Sequence, residues 1–157
     1  MSHLDTIHFT QEQARTLTGV SPETMRHWRK VVPHLGGKLG KSARFSFTDI
    51  ISLLVVHELV SKFGVHIANI GEGVDALFRR LSEVRPSTLE DTVAVVTAVD
   101  TSLILTNELV GRGMLCPSMA VPLAPLIERM RRQMMPITPI AEQATLPFPP
   151  RVMRVRR

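Results

Sequence analysis

Between residues 24 and 45 the chain carries six basic side chains and no acidic one: Arg26, Arg29, Lys30, Lys38, Lys41 and Arg44. A solvated surface usually mixes signs, whereas a run of one sign attracts a polyanion and releases its counterions. The densest part is GVSPETMRHWRK, residues 19–30, where Ser21, Glu23, Thr24 and His27 join Arg26, Arg29 and Lys30. Side chains of these types hold phosphates and read the edges of bases. Other chemistry lacks the residues to carry it. The six histidines are scattered, and His57-Glu58 lacks the second histidine of a zinc-binding helix. Neither a nucleophile elbow nor a phosphate-cradling loop is present. Cys116 stands alone, which excludes an intramolecular disulfide and a thiolate metal cage and suits a reducing compartment. These residue types predict a binding protein rather than an enzyme, with no metal or cofactor.

The elements that must position these residues are legible from caps and periodicity. Thr10 can accept from the amide of Gln13, whose side chain can reach back, so a helix opens there and Gly19 closes it. Ser21 caps a second helix with Pro22 in its first position, where a missing N–H costs nothing. Two short helices joined around a glycine make a helix-turn-helix. At about 100° per residue, Met25 and Trp28 face inward, while Glu23, Arg26, His27 and Lys30 face outward, flanked by Thr24 and Arg29.

Residues 31–47 (VVPHLGGKLGKSARFSF) hold three glycines, a proline and an alternating end, which predicts a small β-hairpin presenting Lys38, Lys41 and Arg44. Ser46 and Asp49 cap a third predicted helix through residues 50–63, apolar nearly all round and stopped by Gly64. A fourth spans about residues 66–84, with Gly71 and Gly73 each costing about 1 kcal/mol against alanine. After Pro86 the pattern becomes β-branched. Residues 92–99 predict a strand, 100–102 a turn, 103–109 a returning strand, 111–117 a loop and 120–123 a third strand. A helix from Pro125 turns Leu126, Ile127, Met130 and Met134 inward and Glu128, Arg129, Arg131 and Arg132 outward, with Pro136 ending it.

The charge follows this division. Residues 1–45 carry seven basic and three acidic side chains, residues 46–150 eight and eleven, and residues 151–157 four arginines. Three parts are expected: residues 1–85 for binding, a small α+β module at 86–135 that pairs subunits or receives a protein partner, and a flexible Pro/Arg-rich basic tail at 136–157. The N-terminus lacks a basic region followed by an apolar run, and the longest apolar window, residues 50–60, is too short to span a bilayer. A cytoplasmic, nucleoid-associated protein without membrane contact is the expectation.

The residues of the first part resemble the MerR-superfamily winged helix-turn-helix. The matching positions are Val20, Ser21, Thr24, Met25, Arg26, His27 and Trp28, then Arg44, Phe45, Ser46 and Asp49. The likeness covers about residues 8–80. It implies a mainly α fold with small β elements, in which helix 21–30 enters the major groove of double-stranded DNA. The basic wing 36–45 follows the adjacent backbone. Arg26 would reach a base edge or nearby phosphate, Thr24 and His27 would hold phosphates, and Lys38, Lys41 and Arg44 would act from the wing. Pro86 and the strands after it stand where that family continues into a long dimerising helix. The resemblance implies a bacterial or phage-derived transcriptional regulator. The alternatives are an excisionase- or terminase-like architectural factor and an adaptor of antirepressor or antitoxin type that uses the same fold to dock a protein.

Overall fold

The computed structural model describes residues 6–135. Strand β1 (His8–Phe9) leads into helix α1 (Gln11–Thr18). Thr10 Oγ1 accepts from the Gln13 amide at 3.2 Å and Gln13 Oε1 accepts from the Thr10 amide at 2.9 Å, so the capping box is closed both ways. Gly19 ends α1 at φ 74°, a left-handed conformation that an L side chain resists. Val20 is buried, and Ser21 caps α2 (Pro22–Val31).

The predicted hairpin is corrected by the structure. Pro33 opens a short helix, α3 (Pro33–Gly36), because its fixed φ suits a first helical position and its missing N–H has no partner to lose. Residues 37–44 then form an irregular turn, bent at Gly40 (φ 80°) and closed by the Ala43 amide on the Gly40 carbonyl. Strand β2 (Phe45–Ser46) pairs antiparallel with β1, Phe9 against Phe45, and not with the chain just before it. Both phenylalanines are buried, so the pairing is set by the core rather than by a local turn.

Helix α4 (Phe47–Phe63) opens with the Ser46–Asp49 capping box, buries eleven of its residues and stops at Gly64, φ 64°. Helix α5 (Ile67–Ser82) kinks at Ile70 (φ −126°, ψ 15°). The two glycines that weaken it in isolation are sites of close approach. A Cβ on Gly71 would lie 2.9 Å from Val31 Cγ1, and one on Gly73 would lie 2.0 Å from the Thr97 carbonyl oxygen.

A 3₁₀ turn (Pro86–Asp91) leads to β3 (Thr92–Val96) and β4 (Thr101–Leu105). The connecting turn falls at 97–100, earlier than predicted, because Thr97 Oγ1 accepts from the amides of Val99 and Asp100 and donates to the Asp100 carbonyl. The returning strand correspondingly ends at Leu105. Thr106 opens the short helix α6 (Thr106–Leu109), its hydroxyl donating to the Asp91 carbonyl at 3.0 Å. Strand β5 (Met119–Pro122) completes a three-stranded antiparallel sheet of order β4-β3-β5, and α7 (Ala124–Met134) follows.

The architecture is mainly helical with two small antiparallel sheets. One continuous core runs from Phe9 to Met130, and a satellite of Val93, Val95 and Ile104 lies on the other face of the sheet under Leu109. An Arg129–Glu58 ion pair at 2.8 Å links α7 to α4. Among the described residues no helix is long and apolar enough to cross a membrane. The predicted tail, its arginines and Pro136 lie outside the described residues.

Candidate nucleic-acid interface

The capped turn fixes how α2 is presented. Ser21 Oγ accepts from the Thr24 amide at 3.1 Å and donates to Thr24 Oγ1 at 2.8 Å, so both hydroxyls serve the cap. Met25 and Trp28 are buried, which rotates Glu23, Arg26, His27 and Lys30 into solvent. The division of α2 into an apolar and a polar face therefore stands as predicted. Thr24 is half-buried and borders, with His27 and Glu23, a groove of about 340 Å³ whose far wall is His66 and Ile67 at the start of α5.

Arg29 sits differently from its neighbours. It is half-buried, its Nε and Nη2 are shielded from solvent without a hydrogen-bond partner, and burial lowers its pKa. Arg15 on α1 is also half-buried, its Nε shielded from solvent without a hydrogen-bond partner. Arg15 and Lys41 line the same groove of about 500 Å³, between the start of α1 and the turn at Gly40. Sequence reasoning passed over Arg15, whose only signal was its charge opposite the Ala14–Leu17 stripe. A shielded guanidinium without an acceptor is costly unless an anion completes it.

The turn 37–44 carries its cations in two ways. Lys41 is exposed, and Arg44, also exposed, steadies the turn by donating from Nη1 to the carbonyls of Lys41 and Ala43 at 3.1 Å. Lys38 points inward: its Nζ lies 3.1 Å from Asp49 Oδ2, donates to the Arg44 carbonyl at 2.8 Å and sits 5.5 Å over the Phe45 ring. The structure thus brings Arg26, His27, Lys30, Lys41 and Arg44 to the surface and commits Lys38 to the framework.

That framework centres on Asp49, which is 4% exposed. Its Oδ1 accepts from His34 Nε2 at 2.8 Å and its Oδ2 from the Ser46 amide at 2.9 Å. Burial pushes the carboxyl up, but the His34 hydrogen bond, the Ser46 amide and the Lys38 charge outweigh it and hold the pKa at about 2. His34 also stacks on Phe78 of α5, ring centres 4.7 Å apart, and its amide donates to Asp75 Oδ1. One carboxylate therefore ties the turn, α3 and α4 together behind α2. No sequence motif announced His34, because its partners are 15 and 41 residues away.

Charge pairing separates this surface from the rest. Among the described residues, Arg15, Arg26, Arg29, Lys30, Lys41 and Arg44 have no carboxylate partner within 4.0 Å. Of the eight cations between residues 46 and 135, six are paired: Lys62 and Arg129 with Glu58, Arg79 with Asp75, Arg80 with Asp100, Arg131 with Glu90 and Arg132 with Glu128. No cluster of metal-ligating side chains occurs among the described residues. No family model, curated protein or solved structure matches the chain.

Proposed function

We propose that the chain is a sequence-specific double-stranded DNA-binding protein, a bacterial or phage-derived transcriptional regulator built on a winged helix-turn-helix of the MerR type. Helix α2 enters the major groove with Arg26 foremost, and Lys41 and Arg44 follow the adjacent backbone from the turn. The observation that carries this reading is the set of cations on α1, α2 and the turn that lack carboxylate partners among the described residues, where most of the other cations are paired. Unpaired charge of one sign repels itself, and a phosphate backbone relieves that repulsion.

Gel-shift titration of the full chain against genomic fragments, at several salt concentrations, tests it. Retention of particular fragments with a steep salt dependence is expected; weak, uniform binding at physiological salt would refute it. The adaptor reading draws on one observation, the apolar loop before β5, where Val110 is 94% and Leu115 102% exposed. Loss of those side chains would then abolish function while DNA retention stayed absent throughout.

A further inference from the structure

The hydrogen-bond alternation of the sheet determines what its two edges offer. The Leu123 amide donates to the Thr92 carbonyl at 3.0 Å, so the β3 residues facing β5 are Thr92, Ala94 and Val96. Antiparallel ladders alternate, so Val93 and Val95 bond to β4, opposite Ile104 and Ser102. The turn agrees, since the Thr97 amide donates to the Asp100 carbonyl at 2.9 Å and Val96–Thr101 is then a non-bonded pair. It follows that Thr101, Leu103 and Leu105 aim their backbone groups away from β3. On the other side, β5 turns outward Ala120 and Pro122.

The edges are therefore unequal. Pro122 has no N–H, so the β5 edge keeps one outward donor and is blunted in the way natural sheets protect themselves. Strand β4 reads TSLIL, with no charge and no proline, and among the described residues no strand lies beyond it. At its start the Thr101 amide is taken by Asp100 Oδ1 at 2.8 Å. The outward groups of Leu103 and the amide of Leu105 bond to no other described segment, the Leu105 carbonyl serves the first turn of α6, and Leu105 is 43% exposed beside them.

We propose that β4 is a homodimer edge, pairing antiparallel with β4 of a second copy about a two-fold axis through Leu103. The register is self-complementary: Leu103 meets its own copy as a pair that exchanges both backbone bonds, and the Thr101 carbonyl, its amide held by Asp100, accepts from the partner's Leu105 amide. No like charges oppose each other along the strand, and Leu105 loses its exposure. The sheet becomes six-stranded, closed at both outer ends by Pro122. A foreign strand has the same backbone, but the uncharged, symmetric placement of outward groups favours a second copy. The proposal is independent of DNA binding and is tested without DNA.

Sedimentation of the full chain over a wide concentration range should show a monomer–dimer equilibrium. Leu105→Lys places a charge at the exposed edge and should weaken the dimer about tenfold or more, with an unchanged circular dichroism spectrum. In a Cys116→Ser background, Leu103→Cys should be joined to its own copy by a methylene-bridged bis-thiol reagent, because a bonded antiparallel pair holds its Cα atoms about 5.5 Å apart with the side chains too widely spaced for a direct disulfide. Ser102→Cys, off the axis on the other face, should not. A protein monomeric at all concentrations overturns the proposal, as does a dimer that Leu105→Lys leaves intact or a Leu103→Cys variant that never cross-links.

Discussion

Two sets of cations divide the molecule. Those on α5 and α7 mostly meet a carboxylate, as in Arg129–Glu58 and Arg80–Asp100. Those on α1, α2 and the turn, Lys38 apart, meet none among the described residues. Paired surface cations change stability little when removed, since Coulomb gain, entropy and screening nearly cancel. Cations without a carboxylate are available to an external anion, even where, as in Arg44, the guanidinium also steadies the turn through backbone carbonyls. The difference separates charge used within the chain from charge directed outward, although both sets are the same residue types.

Four substitutions and one titration would break or sharpen this contrast. The largest effect belongs to Asp49→Ala, which removes the cap of α4 and leaves His34 and Lys38 without their partner. A loss of about 3 kcal/mol is expected in denaturant unfolding, and an unchanged midpoint would mean that Lys38 is free. Acid should do the same more gently. The folded pKa of Asp49 is depressed from 3.8 to about 2, so its contribution is complete above pH 3.8 and is lost as pH falls toward 2. That contribution is about 2 kcal/mol, and thermal melts between pH 5 and 2 would show it sloping away.

Arg26→Ala should leave the melting temperature unchanged while lowering discrimination between DNA sites by about 1–3 kcal/mol in competition gel shifts. Equal binding by the variant would show the outward face of α2 to be idle. Lys41→Ala should weaken all sites alike and lower the slope of log affinity against log salt by about one. The smallest effect is expected for Arg132→Ala, from an exposed pair within α7: stability within about 0.5 kcal/mol of the parent and DNA retention unaltered. A DNA defect there would erase the division between the two sets.

The sequence made legible what depends on neighbours a few residues apart. Both capping boxes, the glycine stops and the two faces of α2 follow from spacings of three and four, and the structure holds them. What escaped depends on distant partners. Phe45 shows itself as a strand residue, but nothing near it reveals that its partner is Phe9. Lys38 looks like Lys41 in sequence, and only the buried Asp49 distinguishes them. Gly71 and Gly73 register locally as a helix cost, whereas their value lies in what they let approach. Arg15 escaped because a charge on a short helix gives no signal of being shielded.

The kink at Ile70 has a consequence for which lengths of chain the fold tolerates. It releases the Gly73 amide from the helical ladder, and the Ala98 carbonyl in the β3–β4 turn receives it at 3.2 Å. The Thr101 hydroxyl returns a bond to the Gly73 carbonyl at 2.7 Å. The tip of the hairpin is thereby plugged into a break in α5. A hairpin turn is ordinarily the place where a chain accepts extra residues. Here an insertion between residues 97 and 100 would withdraw the plug and part the sheet from α5, while the exposed 110–117 loop would take the same insertion without disturbing the core.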